Sequence, residues 1–319
     1  MKKGCAFLLL IWIAAGAGYF YFLRTTQYAD RWWLPILLGL LFAIVIANLQ
    51  GILLALKQRG ASKKSPREWR DGELVGFSGR IQAVRSPLTA PFSGRAAVIV
   101  EYDIKHAVRS ENNSTDKVSD FMGMLMTPCT VQSSRGQMKM VGFPLLSESY
   151  SEHFEEEAHY ARAAKYLLTT AFKPRGKNPL TLLKELNEIL TDDDGDVRAE
   201  FKASDSIISA EEDLDAGAAL NRETALAQDL KDRECWLEEK IIAQGAEVTV
   251  FGSYLAKKQA INIGGGMQHL SHQIHLGKLE VVLGKQLRKS VIGSVVWLAI
   301  FGAVNWYLAK ELGLLPGSQ

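Results

Sequence analysis

Three long apolar runs constrain this chain more than any other feature, because each is about the length that crosses a bilayer as a helix, roughly 20 residues. The first, Cys5–Leu23 (CAFLLLIWIAAGAGYFYFL), follows Lys2 and Lys3. The second, Trp33–Leu56, is introduced by Arg31, Trp32 and Trp33 and interrupted only by Asn48 and Gln50. The third, Val291–Ala309, carries Trp297, Trp306 and Tyr307 between Arg288, Lys289 and Lys310. Aromatic and basic residues at the ends of such runs anchor them at the membrane interface, so three spans are predicted. A cleaved signal peptide is the rival reading of the first run. Ala15-Gly16-Ala17 resembles a cleavage site, but the apolar run continues to Leu23 without the polar break of a mature N-terminus. Cys5 precedes the apolar core and is not placed like a lipoprotein cysteine. Asn48 and Asn305 read as hydrogen-bonding groups between helices rather than as pathway residues.

Lysine and arginine beside a span resist translocation. Lys57, Arg59, Lys63, Lys64, Arg67 and Arg70 follow the second run, whereas the loop between the first two holds only Arg24 and Arg31. The N-terminus and the following domain are therefore expected in the cytoplasm, and the C-terminal tail on the opposite side. The expected fold class is a multi-pass membrane protein with an α+β soluble domain: a β-rich, antiparallel, small barrel or sandwich-like core with a helical insertion, plus three transmembrane helices. The expected organisation is a two-span anchor at 1–56, a basic linker at 57–70, a domain at 71–283 with an acidic helical insertion at about 149–240, a third span at 290–310 and a tail at 311–319.

A hydrophobic content of 47% over 319 residues allows both a sizeable core and membrane segments. The net charge of +2 hides a separation: Leu145–Lys240 holds 23 acidic and 12 basic residues, which leaves a surplus of 13 positive charges elsewhere. Because that surplus lies largely beside the apolar runs, the expected partner is an anionic lipid surface and not nucleic acid. A protein partner or a second copy of the chain is also expected. Cys5, Cys129 and Cys235 follow no ligand spacing, which argues against a disulfide framework and for a reducing compartment.

The stretch from Asp71 to His106 has strand character. Val75, Phe77, Ile81 and Ala83 share one parity, and Val98, Val100, Tyr102 and Ile104 repeat the pattern. The two runs read as antiparallel neighbours. Between them, SPLTAPFSGR carries Pro87 and Pro91, whose φ angles are fixed, Gly94, which can take a positive φ, and apolar Leu88 and Phe92. A stiff loop is predicted, and Pro87, Leu88, Pro91, Phe92, Gly94 and Arg95 are its candidate contact residues, with a structural crossover as the alternative.

Beyond His106 the composition predicts a polar loop, then a strand at Phe121–Met126 entering the core rather than dipping into lipid. Cys129, Val131, Met138 and Met140 predict a hairpin turning at Gly136. A capping box of Ser149 with Glu152 opens a helix that Lys173-Pro174 ends, and a second helix follows Asn178-Pro179. TDDDGDVRAEF does not satisfy a calcium loop, since Leu190 and Phe201 would fill ligand positions, so it reads as a turn before a strand of Val197, Ala199 and Phe201. Ser209–Arg233 reads as exposed acidic helix, and strands return around Val248 and Val250. Gly264-Gly265-Gly266 lacks the spacing of a phosphate or dinucleotide loop.

Catalytic signals are sparse. His269, His272 and His275 recur at every third residue, and three imidazoles can hold zinc with one position open. In a strand His272 would face away from the other two, and no nearby carboxylate would orient them. Cys129 has no base beside it and reads as a small core residue. No cofactor is expected.

The run DGELVGFSGRIQAVRSPLTAPFSGRAAVIVEYDI resembles the opening of the GIDE domain, also called the beside-a-membrane (BAM) domain, of mulan-type mitochondrial ubiquitin ligases and their prokaryotic relatives. The carrying residues are Asp71-Gly72, Gly79, Pro87-Leu88-Thr89, Pro91, Ser93-Gly94-Arg95 and Tyr102. LEEKIIAQGAEVTVFGSYL, with Gly245, Val248, Val250, Phe251, Gly252 and Tyr254, is similar to the closing part of that domain, so the resemblance covers Trp69–Glu280. It implies a domain placed between membrane helices and, in the ligases, a following RING. A cross-braced RING needs about eight Cys and His ligands, and Lys310–Gln319 holds none. Ligase activity is therefore not expected to carry over. The mitochondrial ligases also hold this domain in the intermembrane space, whereas the charges here favour the cytoplasm. The leading expectation is a membrane-anchored binding or assembly module without catalysis. The alternatives are a ligase-family protein and a metal-dependent hydrolase using the three histidines.

Overall fold

The structure, a computed structural model, describes residues 3–26, 28–109, 115–144, 146, 150–175, 196–204, 206–208, 219–264 and 272–312. Their elements are, in chain order, α1 (Lys3–Leu23), α2 (Trp33–Lys63), β1 (Leu74–Ala83), β2 (Leu88–Thr89), β3 (Ala96–Arg109), β4 (Thr115–Met126), β5 (Cys129–Ser133), β6 (Gly136–Val141), β7 (Ser151–Phe154), α3 (Glu157–Thr169), β8 (Lys173–Arg175), β9 (Val197–Ala203), α4 (Ala219–Asp232), β10 (Trp236–Ala243), β11 (Glu247–Leu255), β12 (Ala260–Asn262), β13 (Gln273–Leu276) and α5 (Leu279–Glu311). The chain divides into two units, one of Met1–Lys63 with Glu280–Gln319, the other of Lys64–Leu279.

The first unit is helical. Of its helices, α2 and α5 are long and apolar enough to cross a membrane; of α1 only Leu8–Leu23 enters this measure and is shorter, so two of the three expected spans meet it among the described residues. Both long helices outrun the apolar stretches: α2 continues through the first half of the basic linker and α5 starts at Leu279, well before Val291. Helices pack closely in lipid where small residues let backbones approach. At Gly39 a Cβ would lie 2.8 Å from the Gly16 nitrogen, so α1 and α2 meet backbone to backbone. Trp12 Nε1 donates to the Ile36 carbonyl at 3.0 Å. Asn305 bonds between helices as expected, its Oδ1 accepting from the Tyr19 hydroxyl at 2.8 Å. Asn48 donates within α2 to Ile44 O at 2.8 Å.

In the second unit β1, β5, β6, β12 and β11 close a five-stranded barrel, since β11 also pairs with β1. Every pairing is antiparallel except β6 with β12. A five-stranded closed barrel whose third and fifth strands run parallel has the connectivity of the OB barrel. Two insertions interrupt it. β2, β3 and β4 lie between its first two strands, and β7, α3, β8, β9, α4 and β10 lie between its third and fourth. These insertions build a second sheet together, in the order β7-β10-β3-β4-β9-β8, with β2 on β3.

The layers follow from side-chain parity. Val75, Phe77, Ile81, Val131, Met140, Val248 and Val250 fill the barrel and pack against Ile99, Met126, Val197 and Phe201 of the second sheet. The other face of that sheet, with Val100, Tyr102, Ile104, Phe121 and Leu237, packs on Tyr160, Ala163 and Leu167 of α3 and Leu226 and Leu230 of α4. Full burial stabilises a side chain of this kind by about 1.5–3 kcal/mol relative to exposure. In the β3–β4 ladder the partner of Ile104 is Phe121 and that of Lys105 is Ser119, so Asp120 is an extra residue. This bulge buries its carboxylate against His106, Nδ1···Oδ2 2.5 Å, and Asp120 Oδ1 accepts the Ile207 N–H at 3.1 Å.

Several expectations change here. β1 and β3 are not neighbours: β1 lies between β5 and β11 in the barrel, and β3 between β10 and β4 in the second sheet. The expected polar loop after His106 is mostly ladder, because β3 runs to Arg109 and β4 begins at Thr115. The acidic middle is no purely helical insertion, since it supplies β7, β8, β9 and β10. Its first helix begins at Glu157, because Ser151–Phe154 pairs with β10. The strand at Phe121–Met126, the β5–β6 hairpin and the strand of Val197, Ala199 and Phe201 are as expected. Ser149, the helix expected after Asn178, most of TDDDGD, the acidic run 209–218, Gly265 and Gly266, His269 and the end of the tail lie outside the described residues.

Candidate functional site

The loop between β1 and β3 is held from several directions. β2 pairs with the start of β3, Leu88 opposite Ala97 and Thr89 opposite Ala96. The Ala90 N–H donates to Arg95 O at 2.9 Å and the Gly94 N–H to Ala90 O at 3.0 Å. Gly94 has φ +71°, a left-handed conformation that glycine adopts without steric cost. Beneath the loop, the buried carboxylate of Glu239 on β10 accepts the Phe92 N–H at 2.9 Å and the Ser93 N–H at 3.3 Å. From α3, Arg162 Nε donates to Phe92 O at 2.6 Å.

This geometry sorts the six candidate contact residues. Pro87, Leu88, Pro91 and Gly94 line a cavity. Phe92 does not: it is fully buried, with its ring edge-on to Tyr102 at 5.5 Å between centroids. As the apolar side chain that fixes the loop to the core, it is an anchor and not a contact residue. Arg95 also lies outside the cavity lining and pairs with Glu152 of β7 at 2.5 Å.

The cavity has a volume of about 710 Å³. One wall is the loop from Arg85 to Pro91 with Gly94. Another is one face of α3, where Arg162, Lys165, Tyr166 and Thr169 recur at the i, i+3, i+4, i+7 spacing. Leu125 of β4 and its ladder partner Arg198 of β9 join them, together with Thr127, Pro128 and Asp196. Among the described residues, four cationic side chains, Arg85, Arg162, Lys165 and Arg198, thus share the lining with one carboxylate. Among the described residues, the side chains of Arg85, Lys165 and Arg198 have no hydrogen-bond or ion-pair partner. The single-residue reading missed these cations because they arrive from three separated segments, although the polar stripe on α3 is visible as spacing.

Next to the cavity, the hydroxyls of Tyr102 and Tyr166 both donate to Glu200 Oε1, Tyr102 at 3.0 Å. Burial pushes both phenols above their ordinary range, and the Glu200 carboxylate reinforces the shift. Both therefore remain protonated donors at neutral pH.

On the opposite face of the second sheet Lys240 pairs with Glu101 at 3.1 Å, and Lys105 pairs with Glu238 and lies 3.5 Å from Asp103. The thiols of Cys129 and Cys235 are buried, and that burial pushes each up to about 12, so neither is poised as a nucleophile.

The histidine cluster is only partly described. His272 approaches the Gly264 carbonyl through Nδ1 at 3.0 Å and Ser253 Oγ through Nε2 at 2.9 Å, so protein atoms engage both ring nitrogens. His275, on β13, has Nε2 3.0 Å from Gln273 Oε1. His269 lies outside the described residues. Among the described residues no three His, Cys, Asp or Glu side chains are grouped to hold a metal ion. No family model, no curated protein and no solved structure matches the chain.

Proposed function

We propose that this chain is a membrane-anchored binding module that performs no catalysis, and that the cavity beneath the Pro87–Gly94 loop is its recognition site. The observation that carries the reading is an open cleft of about 710 Å³ lined by a braced loop and by cationic side chains left without described partners. Pockets for small organic ligands are usually about 300–1,000 Å³ and largely pre-formed. A loop held by Glu239, Arg162 and a buried Phe92 needs little ordering when a ligand arrives.

In this reading α1 is a third span. Its tryptophan bond to α2 and its tyrosine bond to Asn305 of α5 support that assignment. The basic residues from Lys57 to Arg70 favour a cytoplasmic domain. The loop that lines the cavity carries part of the resemblance to GIDE domains, and this reading takes the domain as a GIDE-type module. Protein atoms on both His272 nitrogens favour a structural role for that residue over the hydrolase reading.

The test is a thermal-shift panel of phosphorylated, carboxylated, amino and neutral metabolites on the detergent-purified full chain. Thr169→Trp, at an exposed position on the cavity wall, serves as the blocked variant. At least one compound class should raise Tm of the wild type and leave Thr169→Trp unmoved, because a ligand stabilises the state that binds it. Equal responses of the two proteins, or none in either, would contradict the proposal.

A further inference from the structure

We infer that the cavity takes a phosphate group carried on a small organic molecule, an inference that rests on the cavity being a binding site. The first ground is charge. Arg85, Arg162, Lys165 and Arg198 line a space to which, among the described residues, only Asp196 contributes a carboxylate. Three of these cations come from Leu145–Lys240, a stretch with 23 acidic and 12 basic residues, so they are gathered against the local bias of the sequence. Lys105, Lys240 and Arg95 all have carboxylate partners, whereas Arg85, Lys165 and Arg198 have none among the described residues. Cations converging on one space repel each other until an anion arrives.

The second ground is geometry. The Arg162 guanidinium is pinned through Nε to Phe92 O at 2.6 Å, which fixes its plane and leaves the two terminal nitrogens to act as a fork. Arginine forks match phosphate and carboxylate oxygens in pairs. Between these anions the charge carried on a single group decides. A phosphomonoester carries about −1.5 to −2 at neutral pH, whereas a monocarboxylate would leave most of the four cations uncompensated. The third ground is the remaining lining. Pro87, Leu88, Pro91, Leu125 and the Tyr166 ring are apolar, and about 710 Å³ far exceeds the room needed by a bare phosphate. The phosphate therefore arrives with an organic body, which lies on that apolar wall.

A membrane phospholipid headgroup and a soluble phosphate ester offer the same chemistry, and the experiment separates them. The full chain in detergent is titrated calorimetrically with ADP, glucose 6-phosphate, inorganic phosphate and succinate. In a second arm it is mixed with phosphatidylcholine vesicles with and without phosphatidic acid. Arg85→Glu and Arg198→Glu reverse exposed charges that have no described partner to lose, and Thr169→Trp blocks the space. The expected result is binding of phosphate esters, weakened roughly tenfold or more in Kd by either reversal and abolished by Thr169→Trp. Binding only to phosphatidic acid vesicles, with the same response to the variants, assigns the phosphate to lipid. Preference for succinate, or phosphate binding untouched by both reversals, overturns the phosphate assignment and leaves the module standing. Failure of the whole metabolite panel and of both arms overturns the module as well.

Discussion

The Glu239 carboxylate, buried on β10, holds the backbone N–H of Phe92, 147 residues earlier in the chain, at 2.9 Å. One insertion of the barrel thereby fixes the loop that opens the other. Replacing Glu239 by Ala leaves the Phe92 and Ser93 donors without their acceptor, and a buried unsatisfied donor costs about 1–3 kcal/mol. Phe92→Ala removes the fully buried anchor itself and should cost about 3–5 kcal/mol. Urea unfolding of the two variants checks both values. Stability within error of wild type for either would show that the loop is not fixed in this way.

Tyr102 covers Gly123, its partner across the β3–β4 ladder. A Cβ at Gly123 would lie 2.2 Å from Tyr102 Cε1, so Gly123→Ala must displace the ring whose hydroxyl reaches Glu200. Overpacking of this kind costs about 1–3 kcal/mol. The expected outcome is a lower midpoint in urea together with a change in near-ultraviolet dichroism from tyrosine. An unchanged spectrum and midpoint would show that the ring has room to move.

Burial holds the His275 imidazole below its ordinary value of 6.5. Above that pH the residue is neutral in both the folded and the unfolded chain and contributes no pH dependence. As pH falls through 6.5 toward the folded-state value, the unfolded chain takes up a proton that the folded chain refuses, so stability is lost with falling pH. His275→Gln should lose less stability than wild type between about pH 7 and pH 5. Parallel curves for the two proteins would contradict this assignment.

If α1, α2 and α5 all span, the N-terminus and the residues after Glu311 lie on opposite sides of the membrane. A reporter fused after Gln319 should then be extracytoplasmic, and one placed in the exposed turn at Ser134-Arg135 cytoplasmic. A cytoplasmic C-terminal reporter together with a cytoplasmic reporter at Ser134-Arg135 is incompatible with three spans.

Alternation along the chain located the barrel strands well, because Val75, Phe77, Val248 and Val250 each turn one face to a closed interior. It could not assign neighbours. Parity tells which face of β1 is buried, and the same parity is satisfied beside β11 or beside β3. The capping box of Ser149 with Glu152 points to a helix through Ser151–Phe154, and the ladder to β10 overrides that local preference. The polar residues around Thr115 looked like a loop because composition reports burial, whereas a long hairpin can extend past its core on backbone hydrogen bonds alone. The loop itself was legible from Pro87, Pro91 and Gly94, but Phe92 was assigned to the wrong side of it. An apolar residue in a loop is an exposed contact in one fold and an anchor in another, and only Tyr102 and Glu239 beneath it decide which. The cations around the cavity lie on three segments that nothing local connects.

Amide hydrogen exchange of the full chain, with and without a phosphate ester, addresses the central claim most directly. If the cavity is the site, peptides covering residues 87–95 and 157–169 slow together in the wild type, and the effect is lost in Arg198→Glu. Protection confined to other segments, or none in any phosphate complex, would contradict a binding site between the loop and α3.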